Sequence, residues 1–360
     1  MDPLTLIPTP DTIPAPSWLF LLLDVSTFTL HILLINIVLG GSLILLFTRA
    51  GKQSAEPENK LQEGIAGKLP VIIALAINFG VAPLLFLQVI YGHLFYTSSV
   101  LMAVYWILII PLLIVGYYGA YYYIRKKSSA PMLSRIAILL TSLILLYIGF
   151  IFVSNMTMMA QPEKWVAYFE NRGGTLLNSG DPTIIPRYLH FVTASIAIGG
   201  LFLAIVWWFR KQKNAAGAEE KIKSALRIFG IATAMQVVIG FWFLLALPSE
   251  FIIQFMGQNL FFTLLLFAGI FLGIGAIVFA FLGNLTFTAA FFVATILTMV
   301  ITRANLRALY LGDAFSLSSL KVAPQYGVMA LFFIIFAVGI VSVVYMVRMA
   351  ISANERRIAS

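Results

Sequence analysis

Long runs of apolar residues, separated by short polar stretches, dominate the pattern along this chain. A helix needs roughly 20 apolar residues to cross a bilayer, and about nine segments reach that length. We therefore expect an all-α membrane protein, a bundle of about nine transmembrane helices. The predicted spans are Phe28–Thr48, Leu69–Tyr91, Leu101–Ile124, Leu133–Val153, Tyr188–Phe209, Ile228–Leu247, Leu260–Leu282, Leu285–Ile301 and Tyr326–Val347.

Composition supports this fold class and excludes several functions. The chain is 61% hydrophobic and only 10% charged, a balance that soluble domains do not show. Its net charge of +9 comes from short loops between apolar runs, so we expect a lipid bilayer and no nucleic acid as partner. The chain has no cysteine, which excludes disulfides, iron–sulfur clusters and covalently attached c-type haem. Any haem would be held non-covalently.

The basic loops predict an orientation. They follow the first, third, fifth and ninth spans, which places them on one side of the membrane, and the positive-inside rule makes that side cytoplasmic. The N-terminus is then outside and the C-terminus cytoplasmic, in a multi-pass protein of the cell inner (cytoplasmic) membrane. The basic residues are Arg49, Lys52, Lys60, Lys68, Arg125, Lys126, Lys127, Arg135, Arg210, Lys211, Lys213, Lys221, Lys223, Arg348, Arg356 and Arg357.

Three regions follow from this topology. Residues 1–27 form an external N-terminal segment with a short interfacial helix, Trp18–Asp24. Residues 28–350 form a single transmembrane domain with an external loop at 154–186, in which a short helix is expected around Glu163–Asn171. Residues 351–360 form a cytoplasmic tail.

Two arginines do not fit the positive-inside rule. Arg303 and Arg307 fall on the external side. One interpretation is an amphipathic helix in an external loop, Arg303–Leu311, and we favour it. The alternative is that unpaired cations meet anionic groups such as haem propionates.

The stretch Pro186–Phe191 opens the fifth span and contains His190. A histidine near the end of a membrane helix is often functional. One turn on, the same face carries the small residues Thr193, Ala194 and Ala197, so a flat haem could lie there with His190 as its axial ligand. A helix cap or a hydrogen bond to a neighbouring carbonyl is the alternative for His190.

His31 and His93 are the other two histidines of the chain, and all three are predicted near the external leaflet. Met329 lies just inside the external end of the ninth span, at the predicted depth of His190, and His with Met is a common axial pair for haem iron. For His93, a plain interfacial position beside Tyr91 and Tyr96 is the slightly favoured alternative.

Acidic residues are scarce in the predicted membrane interior. Asp, Glu, Lys and Arg are all absent from Leu69–Ile124 and from Phe251–Thr302. A proton-coupled transporter normally needs buried carboxylates. The pattern therefore favours electron transfer or a passive role over ion-coupled transport.

At several points, in order, the chain resembles subunit I of the cytochrome bd quinol oxidases. The similar stretches are Leu30–Gly40, Ile77–Gln88, Ser154–Pro162, Pro186–His190 and Tyr326–Met329. The resemblance implies that His190 and Met329 ligate a low-spin haem b, that His31 ligates a second haem, and that Arg187 pairs with a propionate.

The chain also departs from that family. The third span, at Val104–Leu108, lacks the glutamate that ligates a further haem in the oxidases, and their quinol-binding loop after the sixth span is reduced to about Pro248–Gln258. His93 has no counterpart, and a relocated haem held with His31 is one interpretation of it.

We therefore expect a haem b electron-transfer subunit, with one or two haems, that relays electrons between the quinone pool and a periplasmic cytochrome. Quinone itself is a candidate ligand, and the expected partners are other subunits of a respiratory complex, among them a multihaem c-type cytochrome. A divergent quinol:oxygen oxidoreductase and a haem-free scaffold or transporter are the alternatives.

Overall fold

The computed structural model describes residues 3–47, 63–312 and 314–359, and this part of the chain is all-α. Nine of its helices are long and apolar enough to cross a membrane, which confirms the predicted fold class. We number them α1 to α9 in chain order: Ser17–Phe47, Leu69–Leu101, Ala103–Lys126, Pro131–Ala160, Ile184–Lys211, Ala218–Leu245, Leu260–Phe281, Leu285–Leu311 and Tyr326–Ala359.

Local sequence signals fix several helix starts. Asn259 and Asn284 precede α7 and α8, and their side chains accept hydrogen bonds from the backbone nitrogens of Phe262 (3.2 Å) and Phe287 (3.1 Å). Such caps satisfy donors that the first helical turn leaves free. Proline occupies the first turn of both α2 and α4, where its missing N–H costs nothing.

Helices α1 and α5 form the centre of the bundle. About half of the most apolar window of each is buried, 50% in α1 and 56% in α5. Gly40 and Gly199 allow the two backbones to touch, since a Cβ on Gly40 would lie 1.7 Å from the carbonyl oxygen of Ser195. The Ser195 hydroxyl donates to Asn36 Oδ1 at 2.7 Å across this contact. Around the pair, α2 packs on α1 and α6 packs on α5.

Several helices are longer than the apolar pattern predicted. The interfacial helix Trp18–Asp24 is not separate, because α1 runs without a break from Ser17. The external loop helix Arg303–Leu311 is likewise the last part of α8. The second and fourth helices extend to Leu101 and Ala160. Polar residues near these ends are tolerated inside helices because they find partners within the bundle.

The short helix expected in the long loop before α5 is present as a 3₁₀ helix, Pro162–Phe169. The predicted end of the first span at Thr48, together with Arg49, Lys52 and Lys60 of the basic loop after it, lies outside the described residues.

The last helix, α9, stands apart from the others. None of its apolar window is buried, and from Tyr326 to Met349 every side chain is exposed except that of Met329, which is half-buried. The segment before α9 is joined to the N-terminal segment by a bridge between Ile13 and Val322 and by a backbone hydrogen bond from Gln325 to Pro14.

Candidate functional site

His31 lies on α1 and is half-buried against α2. Its Nδ1 is 3.0 Å from the carbonyl oxygen of Ala76. Because a carbonyl only accepts, Nδ1 carries the proton, and Nε2 of the neutral ring keeps its lone pair. Gly80 makes room for the ring, since a Cβ there would lie 2.7 Å from His31 Cε1. A backbone carbonyl on one nitrogen and a free lone pair on the other is the usual arrangement of a metal-ligating histidine.

His190 lies near the start of α5 and faces α6. Its Nε2 is 3.0 Å from the side-chain amide nitrogen of Gln236, and Gly240 is the next neighbour on that helix. The amide nitrogen only donates, so the Nε2 lone pair is engaged and Nδ1 carries the proton. Nδ1 is buried and has no hydrogen-bond partner. Iron could reach Nε2 only if the Gln236 side chain turned away.

The small-residue face beyond His190 is largely covered by protein. Thr193 and Ala197 are buried, and Ala197 belongs to the main hydrophobic core. Helix packing therefore covers part of this face, and the expected position of a haem along it stays a prediction.

His31 and His190 lie at the same depth. Asn36 follows His31 by five residues and Ser195 follows His190 by five, and these two residues are hydrogen-bonded between the parallel helices α1 and α5. The predicted common depth holds for this pair. Their rings contact different helices, α2 for His31 and α6 for His190, so they define two neighbourhoods and not one shared site.

His93 does not lie at that depth. It follows Gly80, the neighbour of His31, by 13 residues along α2, which corresponds to about 20 Å of helix rise. Its ring packs on Phe315, with ring centroids 4.9 Å apart. The expectation that all three histidines share one depth is thus corrected. The structure does not bring His93 to His31.

Met329 lies in the first turn of α9, and that it ligates iron together with His190 stays a prediction. Met329 follows Gln325, which is hydrogen-bonded to Pro14, by four residues.

Three arginines form a layer beside the two histidines, toward the end of the bundle where α1 and α5 begin. We call Arg187, Arg303 and Arg307 the arginine layer. Each guanidinium stacks on an aromatic ring, with Cζ-to-centroid distances of 4.8 Å for Arg187 on Phe243, 4.2 Å for Arg303 on Phe28 and 4.9 Å for Arg307 on Tyr91. Arg303 is within electrostatic range of the other two.

Asp24 is the acid of this region. Its Oδ2 lies 3.6 Å from Arg307 Nη1, and both side chains are almost fully buried, at 5% and 7% exposure. Asp24 was not among the predicted site residues, because the apolar pattern places it in an interfacial helix outside the first span. The signal was available, since a lone carboxylate in the apolar stretch Trp18–Leu34 requires a buried partner.

Arg187 has an acid nearby as well. Asp181 lies within electrostatic range of it, but the Asp181 carboxylate already accepts hydrogen bonds from Gln161 and from the backbone and hydroxyl of Thr183. These bonds hold the loop that leads into α5.

The described residues contain no group of three or more His, Asp and Glu side chains that could hold a metal ion. Haem iron needs only one or two axial ligands, so a haem site requires only that a histidine presents a free ring nitrogen to the iron. His31 fits as an axial ligand. His190 fits only after Gln236 turns.

Fold and site together define a polytopic all-α membrane protein with half-buried histidines and a layer of three arginines, of which Arg307 is buried. No family model, no curated protein and no solved structure matches the chain. The resemblance to cytochrome bd oxidase subunit I therefore stays a prediction.

Proposed function

We propose that this protein is a membrane-embedded electron-transfer subunit that holds haem b non-covalently. The observation that carries the proposal is His31, whose Nδ1 is held by the Ala76 carbonyl at 3.0 Å while Nε2 keeps its lone pair. Bound haem would supply one-electron chemistry at its iron.

The arginine layer supports the same proposal. Haem carries two propionates, and buried guanidinium groups bind carboxylates through short charge-assisted hydrogen bonds. Arg187 lies only three residues before His190 on α5, and this spacing supports our assignment of Arg187 to a propionate of a haem at that histidine. His190 is the proposed ligand of a second haem, with Gln236 as the residue that must turn.

The cellular setting remains part of the proposal. The helices support a multi-pass membrane protein in contact with a lipid bilayer. We place it in the cytoplasmic membrane, with the N-terminus outside, as one subunit of a respiratory complex. Its donor would be the quinone pool and its acceptor a periplasmic multihaem cytochrome.

Histidine variants test the assignment. We expect His31→Ala to lower the haem content per chain at least twofold, because the haem loses its axial ligand. His93→Ala is the matched control and should leave the haem content unchanged. His190→Ala should remove a second, low-spin component from the reduced-minus-oxidised spectrum. Equal haem content in all three variants and the parent would reject these ligands.

A further inference from the structure

The arginine layer holds more positive charge than its acids neutralise. Asp24 is the one carboxylate in contact with Arg307, and Asp181 is already engaged by Gln161 and Thr183. Arg303 makes no ion pair within 4 Å among the described residues, and it lies within electrostatic range of Arg307, Arg187 and Asp24. A buried layer of like charges repels itself unless an anion joins it.

Donor atoms in the layer also lack acceptors. Arg307 Nη1 and Arg187 Nε are buried without a hydrogen-bond partner. Arg307 is only 8% exposed, so water does not readily replace the missing acceptor. The 3.6 Å between Arg307 Nη1 and Asp24 is an ionic contact too long for a hydrogen bond. Buried guanidinium donors without acceptors destabilise the folded protein. This indicates that an acceptor group binds beside Arg307 and Arg187.

We propose that Arg303 and Arg307, in the field of Arg187, form a binding site for one oxyanionic group, a carboxylate or a phosphate. Guanidinium forks match the paired oxygens of these groups. Arg303 is half-buried, which leaves a route of entry. Asp24 acts as the competing internal anion. The site stands on these residues alone and does not rest on the proposed haem.

Inorganic phosphate is the probe for this site. The full chain, delipidated in neutral detergent, is titrated with phosphate against chloride at constant ionic strength while the thermal unfolding midpoint is followed. We expect a saturable rise in the midpoint. Arg303→Gln should raise the half-saturating phosphate concentration about tenfold, which is the order of affinity lost with one charge-assisted hydrogen bond.

Two further variants separate binding from folding. Asp24→Asn should lower the half-saturating phosphate concentration, because the competing carboxylate is gone. If these residues only stabilised the fold, Arg303→Gln and Asp24→Asn would not shift this concentration in opposite directions. Arg172→Gln, an exposed position in the external loop, removes the same charge and should match the parent chain. If Arg303→Gln does not fold, Arg303→Lys, which keeps the charge but not the fork, should show a smaller loss of affinity.

Native mass spectrometry of detergent-extracted protein identifies the source of the anion. One phospholipid retained by the parent chain and lost in Arg303→Gln assigns a lipid headgroup, and a phosphate shift without retained lipid assigns a free oxyanion. The proposal is overturned if the parent chain neither shifts with phosphate nor retains a lipid, or if both Arg303→Gln and Asp24→Asn behave like Arg172→Gln. Neither readout measures haem, so failure here is distinct from failure of the proposed function.

Discussion

Asp24 and Arg307 are a buried ion pair whose two members come from the first and eighth helices. Removing one member of such a pair leaves an uncompensated charge in a low-dielectric interior. We expect Asp24→Asn, in phosphate-free buffer, to lower the free energy of unfolding by about 3–5 kcal/mol. Reversible unfolding in mixed micelles measures this.

The double variant is the control for that prediction. Asp24→Asn combined with Arg307→Gln removes both charges and should recover most of the lost stability. If the double variant loses as much free energy of unfolding as the two single variants together, Asp24 and Arg307 are not energetically coupled.

At the residue scale, sequence patterns predicted some of the site and missed the rest. His31 and His190 stand out because histidine is rare in membrane helices, and the structure places both at one depth. Asp24 was missed because a window of about 20 apolar residues cuts a longer helix at its first charge. The Gln236 contact with His190 could not be predicted, since no local pattern encodes which helices pack together.

The contact between α1 and α5 depends on two glycines that let the backbones meet. Gly40→Leu should lower the free energy of unfolding by about 3 kcal/mol or prevent assembly, because even a Cβ would overlap the Ser195 carbonyl. The same change at Gly339, where a Cβ meets nothing within 4 Å, is the matched control. Helix content and unfolding midpoints of the two variants check this. Equal effects would contradict a specific role of the contact between α1 and α5.

At the element scale, the number and order of the helices were predictable and their ends were not. The apolar runs located the middle of all nine helices because length and hydropathy decide that. Ends at Ser17, Leu101, Ala160 and Leu311 depend instead on tertiary partners, such as Tyr91 for the last turns of α8. The Arg303–Leu311 loop helix was wrong for this reason.

The ninth helix contributes little buried area to the molecule. A chain ending at Tyr326 keeps the Ile13–Val322 bridge and should retain the thermal stability of the bundle, because no residue of the α9 apolar window is buried. Circular dichroism melts of the shortened and full chains make the comparison. A drop in midpoint of more than a few degrees would show that α9 stabilises the bundle.

The same shortened chain tests the predicted Met329 ligand. If Met329 binds iron opposite His190, the shortened chain loses the low-spin signal. If Met329 does not bind iron, the shortened chain keeps this signal. Met329→Leu in the full chain is the matched control, since it changes only the sulfur.

The most direct test of the whole account is the haem content of the purified full chain, determined by extraction together with a dithionite-reduced minus oxidised spectrum. We expect at least one extractable haem b per chain, with a contribution that disappears in His31→Ala. The proposal that the chain binds haem b is contradicted if protein from haem-replete cells contains no more haem than the double variant His31→Ala, His190→Ala.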